Sequence, residues 1–345
     1  MKKLGVLGAG SWGTALAVHL AESGLGRDPD TGLSVVLWAR DADFAAEIQR
    51  ERINEKYLPA VRFPENLTAT HDMDELVDSD AVLVVVPSHG FREVARDFLS
   101  RVQEGEAPVL VSATKGIETD TLARMSQVTF EEAVAADREV KFAVLAGPSF
   151  AAELARGMPT VAVVASEDGE LATWLRHELS SPTFRLYSTT DVVGVELGST
   201  TKNVIAIAAG VVAGMKLGHN ALAALLTRGL HEITRLGIAC GGQPRTLAGL
   251  AGMGDLVLTC TGELSRNRQM GVKLAEGLTQ QEVADSTPMV AEGVRNSLAV
   301  ARLAKRKGVE MPITEQMEQV LYHGKDPRKV VQDLMTRELR SEAEL

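Results

Sequence analysis

Two lysines give the first chemical signal in this chain. Lys202 lies in Leu197-Gly198-Ser199-Thr200-Thr201-Lys202-Asn203 and opens the apolar run Val204-Ile205-Ala206-Ile207-Ala208-Ala209. Such a run withdraws an ammonium from water. That disfavours its charged form and lowers its pKa toward the range where a proton is exchanged near neutrality. Lys115 follows another apolar run in Ser112-Ala113-Thr114-Lys115-Gly116, a place suited to holding an anion or polarising a carbonyl. Ala251-Gly252-Met253-Gly254-Asp255 reads as a flexible turn presenting a carboxylate. Ser265-Arg266-Asn267-Arg268 groups hydroxyl, guanidinium and amide donors, a set that suits a phosphate. Gly147-Pro148-Ser149-Phe150-Ala151 reads as a turn that brings backbone N–H groups against a ligand, while His89 reads as an ordinary loop histidine.

A second signal concerns phosphates. Gly8-Ala9-Gly10-Ser11-Trp12-Gly13 is a G-x-G-x-x-G that follows the strand-like Leu4–Leu7 and opens a helical pattern. In that setting Gly8 permits the tight turn, Gly10 lets backbone approach a pyrophosphate, and Gly13 lets helix and strand pack closely. The helix start then offers N–H groups to the phosphates. An NAD site usually places an acid at the end of the second strand, against the ribose 2′-hydroxyl. Here the strand end reads Leu37-Trp38-Ala39-Arg40-Asp41. Arg40 in that position favours NADPH, and Asp41 keeps NAD possible.

These residues need a scaffold. Strands are expected at Leu4–Leu7, Ser34–Trp38, Ala81–Val86, Pro108–Ala113, Lys141–Ala146, Thr160–Ala165 and Phe184–Tyr187. Continuous apolar runs such as Val82–Val86 are how strands covered on both faces read. Helical periodicity falls between them at Trp12–Ser23, Phe91–Val102, Thr121–Ala135 and Glu170–Leu179. Alternation at this spacing predicts an α/β, Rossmann-like doubly wound domain over residues 1–190. Past that point strand-like runs nearly vanish. Helical segments at Val195–Ala213, Ala221–Cys240, Asn267–Ala275, Val290–Lys307 and Thr314–Leu321 predict an all-helical domain over 191–345. The turn-rich Gly24–Gly32 reads as a surface insertion, and the charged Arg337–Leu345 as a frayed tail.

The chain has 345 residues and a formal charge of −10, which argues against general affinity for nucleic acid or anionic membrane. Its two cysteines, Cys240 and Cys260, make neither a disulfide framework nor a Cys-rich zinc site, and read as small buried hydrophobes. No metal site is expected. The glycines and polar residues after Met1-Lys2-Lys3 break any signal-peptide pattern, and the apolar run Val204–Met215 is too short to span a bilayer. A cytoplasmic protein is expected.

Together these stretches resemble the bacterial NAD(P)-dependent glycerol-3-phosphate dehydrogenase family. The resemblance is carried by Gly8 through Ala17, Val84–Ser88, Ala113–Gly116, Gly147–Ala151, Leu197–Ala206, Gly254–Cys260, Ser265–Arg268 and Glu292-Gly293-Val294-Arg295-Asn296. It implies that Lys202 is the catalytic proton donor and acceptor. It implies substrate contacts from Lys115, Gly147, Ser149, Lys202, Asp255, Ser265, Arg266 and Asn267. Cofactor contacts are implied for Ser11, Trp12, Arg40, Lys115, Ala151, Arg266, Val290 and Glu292, beside the glycines of the loop. The implied reaction is reduction of dihydroxyacetone phosphate to sn-glycerol 3-phosphate, which feeds glycerophospholipid synthesis, and the implied assembly is a homodimer. Two other readings of the residues remain. One is a related two-domain hydroxy-acid dehydrogenase, for which the Gly254-Asp255 and Ser265-Arg266-Asn267 pairing is not expected. The other is a non-catalytic dinucleotide sensor, which has no need of Lys115 and Lys202.

Overall fold

The computed structural model describes residues 1–24, 32–103, 107–285, 291–338 and 341. By its contacts the chain forms two compact units. One comprises Met1–Thr114 with Ala123–Val192, the other Lys115–Leu122 with Val193–Leu345. The composition change near residue 190 assigns Lys115 to the dinucleotide half. The contacts group Lys115 and the seven residues after it with the helical unit instead.

The first unit is built on β1 (Lys3–Leu7), β2 (Ser34–Trp38), β3 (Ile53–Asn54), β4 (Leu58–Arg62), β5 (Leu67–Thr70), β6 (Ala81–Val84), β7 (Val109–Ser112), β8 (Phe142–Ala146), β9 (Thr160–Ala165) and β10 (Phe184–Thr189). Eight of them form one sheet in the order β10-β9-β8-β7-β6-β1-β2-β5, and β3 pairs with β4 as a separate hairpin. Neighbours run parallel except β8 and β9, which are antiparallel. Every residue of β6, β7 and β8 is buried, which is why these strands read as apolar runs, broken only by Ser112 at the end of β7. Helices α1 (Ser11–Gly24), α2 (Ala42–Glu51), α3 (Ser88–Arg101), α4 (Met125–Ala135), α5 (Ala151–Leu154) and α6 (Gly169–Leu179) connect the strands. The strand order reverses direction at β1, between β2 and β6. That is the switch point outside which doubly wound sheets bind ligands, and the glycine loop leaves β1 there.

The helical periodicity missed α2, and the strand reading missed β5 and the hairpin. β5 is a short edge strand with alternating burial, and its two threonines leave no apolar run. α2 is seen from its cap: Asp41 accepts a hydrogen bond from the Phe44 N–H at 2.7 Å.

The second unit is helical. It holds α7 (Val192–Gly214), α8 (Gly218–Ala239), α9 (Pro244–Leu247), α10 (Asp255–Thr261), α11 (Arg266–Ala275), α12 (Gln280–Asp285), α13 (Glu292–Lys307), α14 (Pro312–His323) and α15 (Pro327–Met335). Proline at the first position starts α9, α14 and α15, and left-handed Gly308 and Gly324 close α13 and α14. By length and composition α7 is apolar enough to cross a membrane, more than the run Val204–Met215 implied. In the fold 83% of its most apolar stretch is buried. It is the central helix of this unit's core, packing Val204–Ala209 with Ile233, Leu256, Met270 and Met317.

Of the two cysteines, Cys260 is buried and Cys240 is only half-buried, so the expectation of two buried thiols holds for one of them. Burial pushes the Cys260 thiol up to about 12, which leaves it protonated and unreactive at neutral pH. Residues 25–31 of the turn-rich insertion, most of the charged tail and Val290 lie outside the described residues.

Candidate active site

Within the helical unit, three charged side chains that are far apart in sequence meet. Asp255 opens α10 and is 1% exposed. Its Oδ2 takes the Lys115 ammonium at 2.7 Å, and its Oδ1 takes the Lys202 ammonium at 2.9 Å. One carboxylate therefore serves two cations, one oxygen each. Burial opposes ionisation of Asp255, but the two ammoniums beside it outweigh burial and hold its carboxyl below the usual carboxylate range. A buried charge is tolerable only when paired and hydrogen-bonded, and here the charges meet that condition.

Helix geometry brings Lys202 to this carboxylate. Gly198 precedes Lys202 by four residues on α7, one turn earlier on the same face. A Cβ at Gly198 would stand 2.9 Å from the Ala251 carbonyl oxygen, so the missing side chain lets α7 approach the turn that leads into Asp255. That turn, Leu250–Gly254, is a wide π-type helical turn. The glycine content suggests a flexible turn that presents a carboxylate. The glycines serve close packing, and the carboxylate is buried.

Lys202 itself is 5% exposed. Its Nζ also donates to Thr259 Oγ1 at 2.6 Å, and that hydroxyl donates to Asp255 Oδ1 at 3.2 Å. Burial is the main influence on the ammonium and lowers its pKa. Asp255 partly restores it and Lys115 lowers it again, which leaves Lys202 at about 8. Lys115 is positioned through its backbone. Its carbonyl accepts from Asn296 Nδ2 at 3.0 Å and from Asn203 Nδ2 at 3.5 Å. Asn203 Oδ1 accepts in turn from Asn267 Nδ2 at 2.9 Å, and Asn267 Oδ1 accepts from the Gly293 N–H at 3.0 Å.

Sequence reading did not single out Thr259, Asn203 or Asn296. Thr259 was legible in principle: it is four residues after Asp255, hence on the same face of α10. Ser265 is the N-cap of α11, accepting from Arg268 N–H at 3.2 Å. Arg266 and Asn267 form that helix's first turn, with Arg266 exposed and Asn267 buried. Glu292 is the first residue of α13 and acts on the Arg266 guanidinium through its charge.

Within the sheet unit, the glycine loop has the shape the motif predicts. Gly8 has a φ of 121°, a conformation that side chains rarely adopt. A Cβ on Gly13 would overlap the Gly8 carbonyl oxygen, whereas one on Gly10 would meet open space. Ser11 and Trp12 begin α1, and the buried Trp12 Nε1 has no hydrogen-bond partner. An open cradle beside Gly10, a helix start and an orphan donor fit a dinucleotide pyrophosphate. Arg40 is exposed just beyond β2. Gly147 ends the β8 run with φ 146°, its carbonyl accepts from Ser149 Oγ at 3.1 Å, and Ala151 opens the short α5.

Two family models match this chain. The N-terminal part of NAD-dependent glycerol-3-phosphate dehydrogenase matches residues 3–172, and the C-terminal part matches 191–332. A glycerol-3-phosphate dehydrogenase [NAD(P)+] of Geobacter sulfurreducens is 48% identical over 344 residues, 99% of each chain. One from Nitratidesulfovibrio vulgaris is 50% identical over 341 residues, 99% of this chain and 100% of its own. The crystal structure of glycerol-3-phosphate dehydrogenase from Coxiella burnetii superposes with a TM-score of 0.89 at 39% identity, covering 97% of this chain and 99% of the other. The chain belongs to the NAD-dependent glycerol-3-phosphate dehydrogenase family.

Proposed function

We propose that this enzyme reduces dihydroxyacetone phosphate to sn-glycerol 3-phosphate with NAD(P)H, and that Lys202 carries the proton. The observation that carries the reading is the buried Lys202, bonded to Asp255 and Thr259, with its pKa lowered to about 8. When bound, the reduced nicotinamide supplies a hydride to the carbonyl carbon. The protein must then neutralise charge growing on the carbonyl oxygen. Lys202 gives that oxygen a proton, and in the reverse direction the neutral amine takes it from the alcohol. Lys115 places a second positive charge nearby, held in place by Asp255 and by the amide of Asn296. Thr259 fixes the Lys202 head group, and Asp255 moderates the repulsion between the two ammoniums.

The α11 start suits the phosphate, with Arg266 and Asn267 in its first turn and the helix N–H groups around them. Asn267 has a second amide hydrogen beyond the one given to Asn203. Holding the phosphate there fixes the distance between the reacting carbons. Gly147, Ser149 and Ser265 complete the substrate contacts in this reading. The dinucleotide is assigned to Gly8, Gly10, Ser11, Trp12, Gly13, Arg40, Lys115, Ala151, Arg266 and Glu292. NADPH is favoured over NADH: Arg40 suits a 2′-phosphate, while Asp41, the acid that an NAD site would use, caps α2. Cytoplasmic location and a homodimer follow from the family reading. Neither cysteine forms a disulfide, which fits the former.

The deciding assay follows nicotinamide absorbance with purified protein. We expect oxidation of NADPH with dihydroxyacetone phosphate and none with hydroxypyruvate or acetoacetate. Turnover of the latter pair alone would point to a hydroxy-acid dehydrogenase, and cofactor binding without turnover to a sensor.

The same assay reads the Lys202 proton. Reduction needs the ammonium, so its kcat/KM is expected to be flat below about pH 8 and to fall about tenfold per pH unit above it. Oxidation of glycerol 3-phosphate needs the neutral amine, so it should rise through the same range and level off. Two profiles that bend the same way would remove Lys202 from the proton-transfer step.

A further inference from the structure

Asn54 is a polar residue that neither the motif nor the proposed chemistry uses. It is 0% exposed and sits at the irregular register of the β3–β4 hairpin, where Asn54 pairs with Leu58. Its Nδ2 donates to the Ala9 carbonyl at 2.9 Å and to Thr14 Oγ1 at 2.8 Å. Its Oδ1 accepts from the Tyr57 N–H at 3.1 Å. Asparagine is disfavoured in strands, and a buried one with both amide hydrogens committed is held for those bonds.

The two acceptors bracket the glycine loop. Ala9 lies between Gly8 and Gly10, and Thr14 is in the first turn of α1. Ala9 C=O and Gly10 N–H lie in one trans peptide plane and point in opposite directions within it. Pinning the carbonyl therefore sets the direction of the Gly10 N–H, on the residue whose missing side chain faces open space. The second bond ties the same amide to α1, so loop and helix start move as one body. The hairpin is itself anchored: the Tyr57 ring packs edge-on against Phe44 of α2 at 5.8 Å between centroids, and the Lys56 ammonium lies over both rings.

We propose that Asn54 is a positioning residue for the dinucleotide, holding the Ala9–Gly10 peptide in the orientation that receives the pyrophosphate. This rests on the reading of the glycine loop as a dinucleotide site. Asn54→Asp is the informative change. It keeps the shape and can still accept from Tyr57 N–H, but it replaces the donor with an acceptor facing the Ala9 oxygen. Thr14→Val removes only the second acceptor.

The test titrates NADPH into wild type and both variants by quenching of tryptophan fluorescence, Trp12 being in the loop, and measures initial rates with dihydroxyacetone phosphate. In Asn54→Asp, Kd and KM for NADPH should rise about tenfold or more, as expected for losing buried hydrogen bonds. KM for the ketone should stay within about twofold and kcat at saturating NADPH within about threefold. Thr14→Val should show a smaller rise of the same kind, about two- to fourfold. Unchanged NADPH affinity in both variants would overturn the proposal, as would a fall in kcat with both KM values unchanged. If Asn54→Asp does not fold, Thr14→Val alone decides by the same criterion. A wild type that binds NADPH but turns over no ketone defeats the proposed reaction and leaves the Asn54 result to be read from Kd. A wild type that binds no dinucleotide defeats both.

Discussion

Replacing Lys202 with methionine is expected to lower kcat for ketone reduction about a thousandfold, within the range that a positioned general acid contributes. Methionine keeps most of the aliphatic stem, so the packing along α7 is retained while the ammonium is lost. Asp255 keeps Lys115 as its partner, and the carboxylate is not left bare. KM for dihydroxyacetone phosphate should change far less than kcat, because phosphate binding is assigned to the α11 start. Two readouts separate lost chemistry from lost structure. NADPH binding by fluorescence should be retained, since the glycine loop belongs to the other compact unit. Small primary amines added to the variant should restore part of the rate, more with rising ammonium concentration. A kcat within tenfold of wild type would end the assignment of Lys202 as proton donor.

Asp255→Asn is the second large effect, and its signature is a displaced pH profile. The amide has nearly the same shape but no charge. Lys202 and Lys115 would then face each other without the anion that each now holds at under 3 Å. Desolvation and Lys115 both lower the Lys202 pKa, and Asp255 is the charge that opposes them. Removing Asp255 must move it below about 8. Charged neighbours at this range shift a group by about one pH unit or more. The falling limb of ketone reduction should move to lower pH by that amount, and activity at pH 8 should drop about fivefold for a shift of one unit and about fiftyfold for two. Thermal stability should fall too, since breaking a buried pair costs about 3–5 kcal/mol. An unmoved limb in a folded variant would show that Asp255 does not govern the Lys202 proton.

What was legible in the sequence follows physical lines. β6, β7 and β8 announced themselves because burial on both faces leaves nearly all residues apolar, Ser112 excepted. Lys202 stood out because a cation beside six apolar residues is an electrostatic anomaly that needs no structure to recognise. β5 and the β3–β4 hairpin were not legible: short edge strands with one exposed face carry mixed residues, and Asn54 among them gave no periodic signal. The Gly252–Asp255 stretch was misread for a different reason. Glycine permits loose backbone and also close packing, and composition alone does not say which. Asn203 and Asn296 were hidden because their role is a bond to the carbonyl of another segment, whereas Thr259 stands one helical turn after Asp255. The seven residues after Lys115 change nothing in composition that would mark them as belonging elsewhere.

That short segment bears on how the protein can be divided. The chain passes from one compact unit to the other at Thr114/Lys115, back at Leu122/Ala123 and over again at Val192/Val193. Three passages mean that no single cut yields two complete pieces. A fragment ending near residue 190 carries Lys115 away from Asp255, and the remaining helices keep a buried carboxylate with one of its two cations missing. The two segments that the family models match therefore do not coincide with the two compact units. Recombining halves from two relatives would have to transplant Lys115–Leu122 together with the helical part, as one functional inheritance split across the sequence.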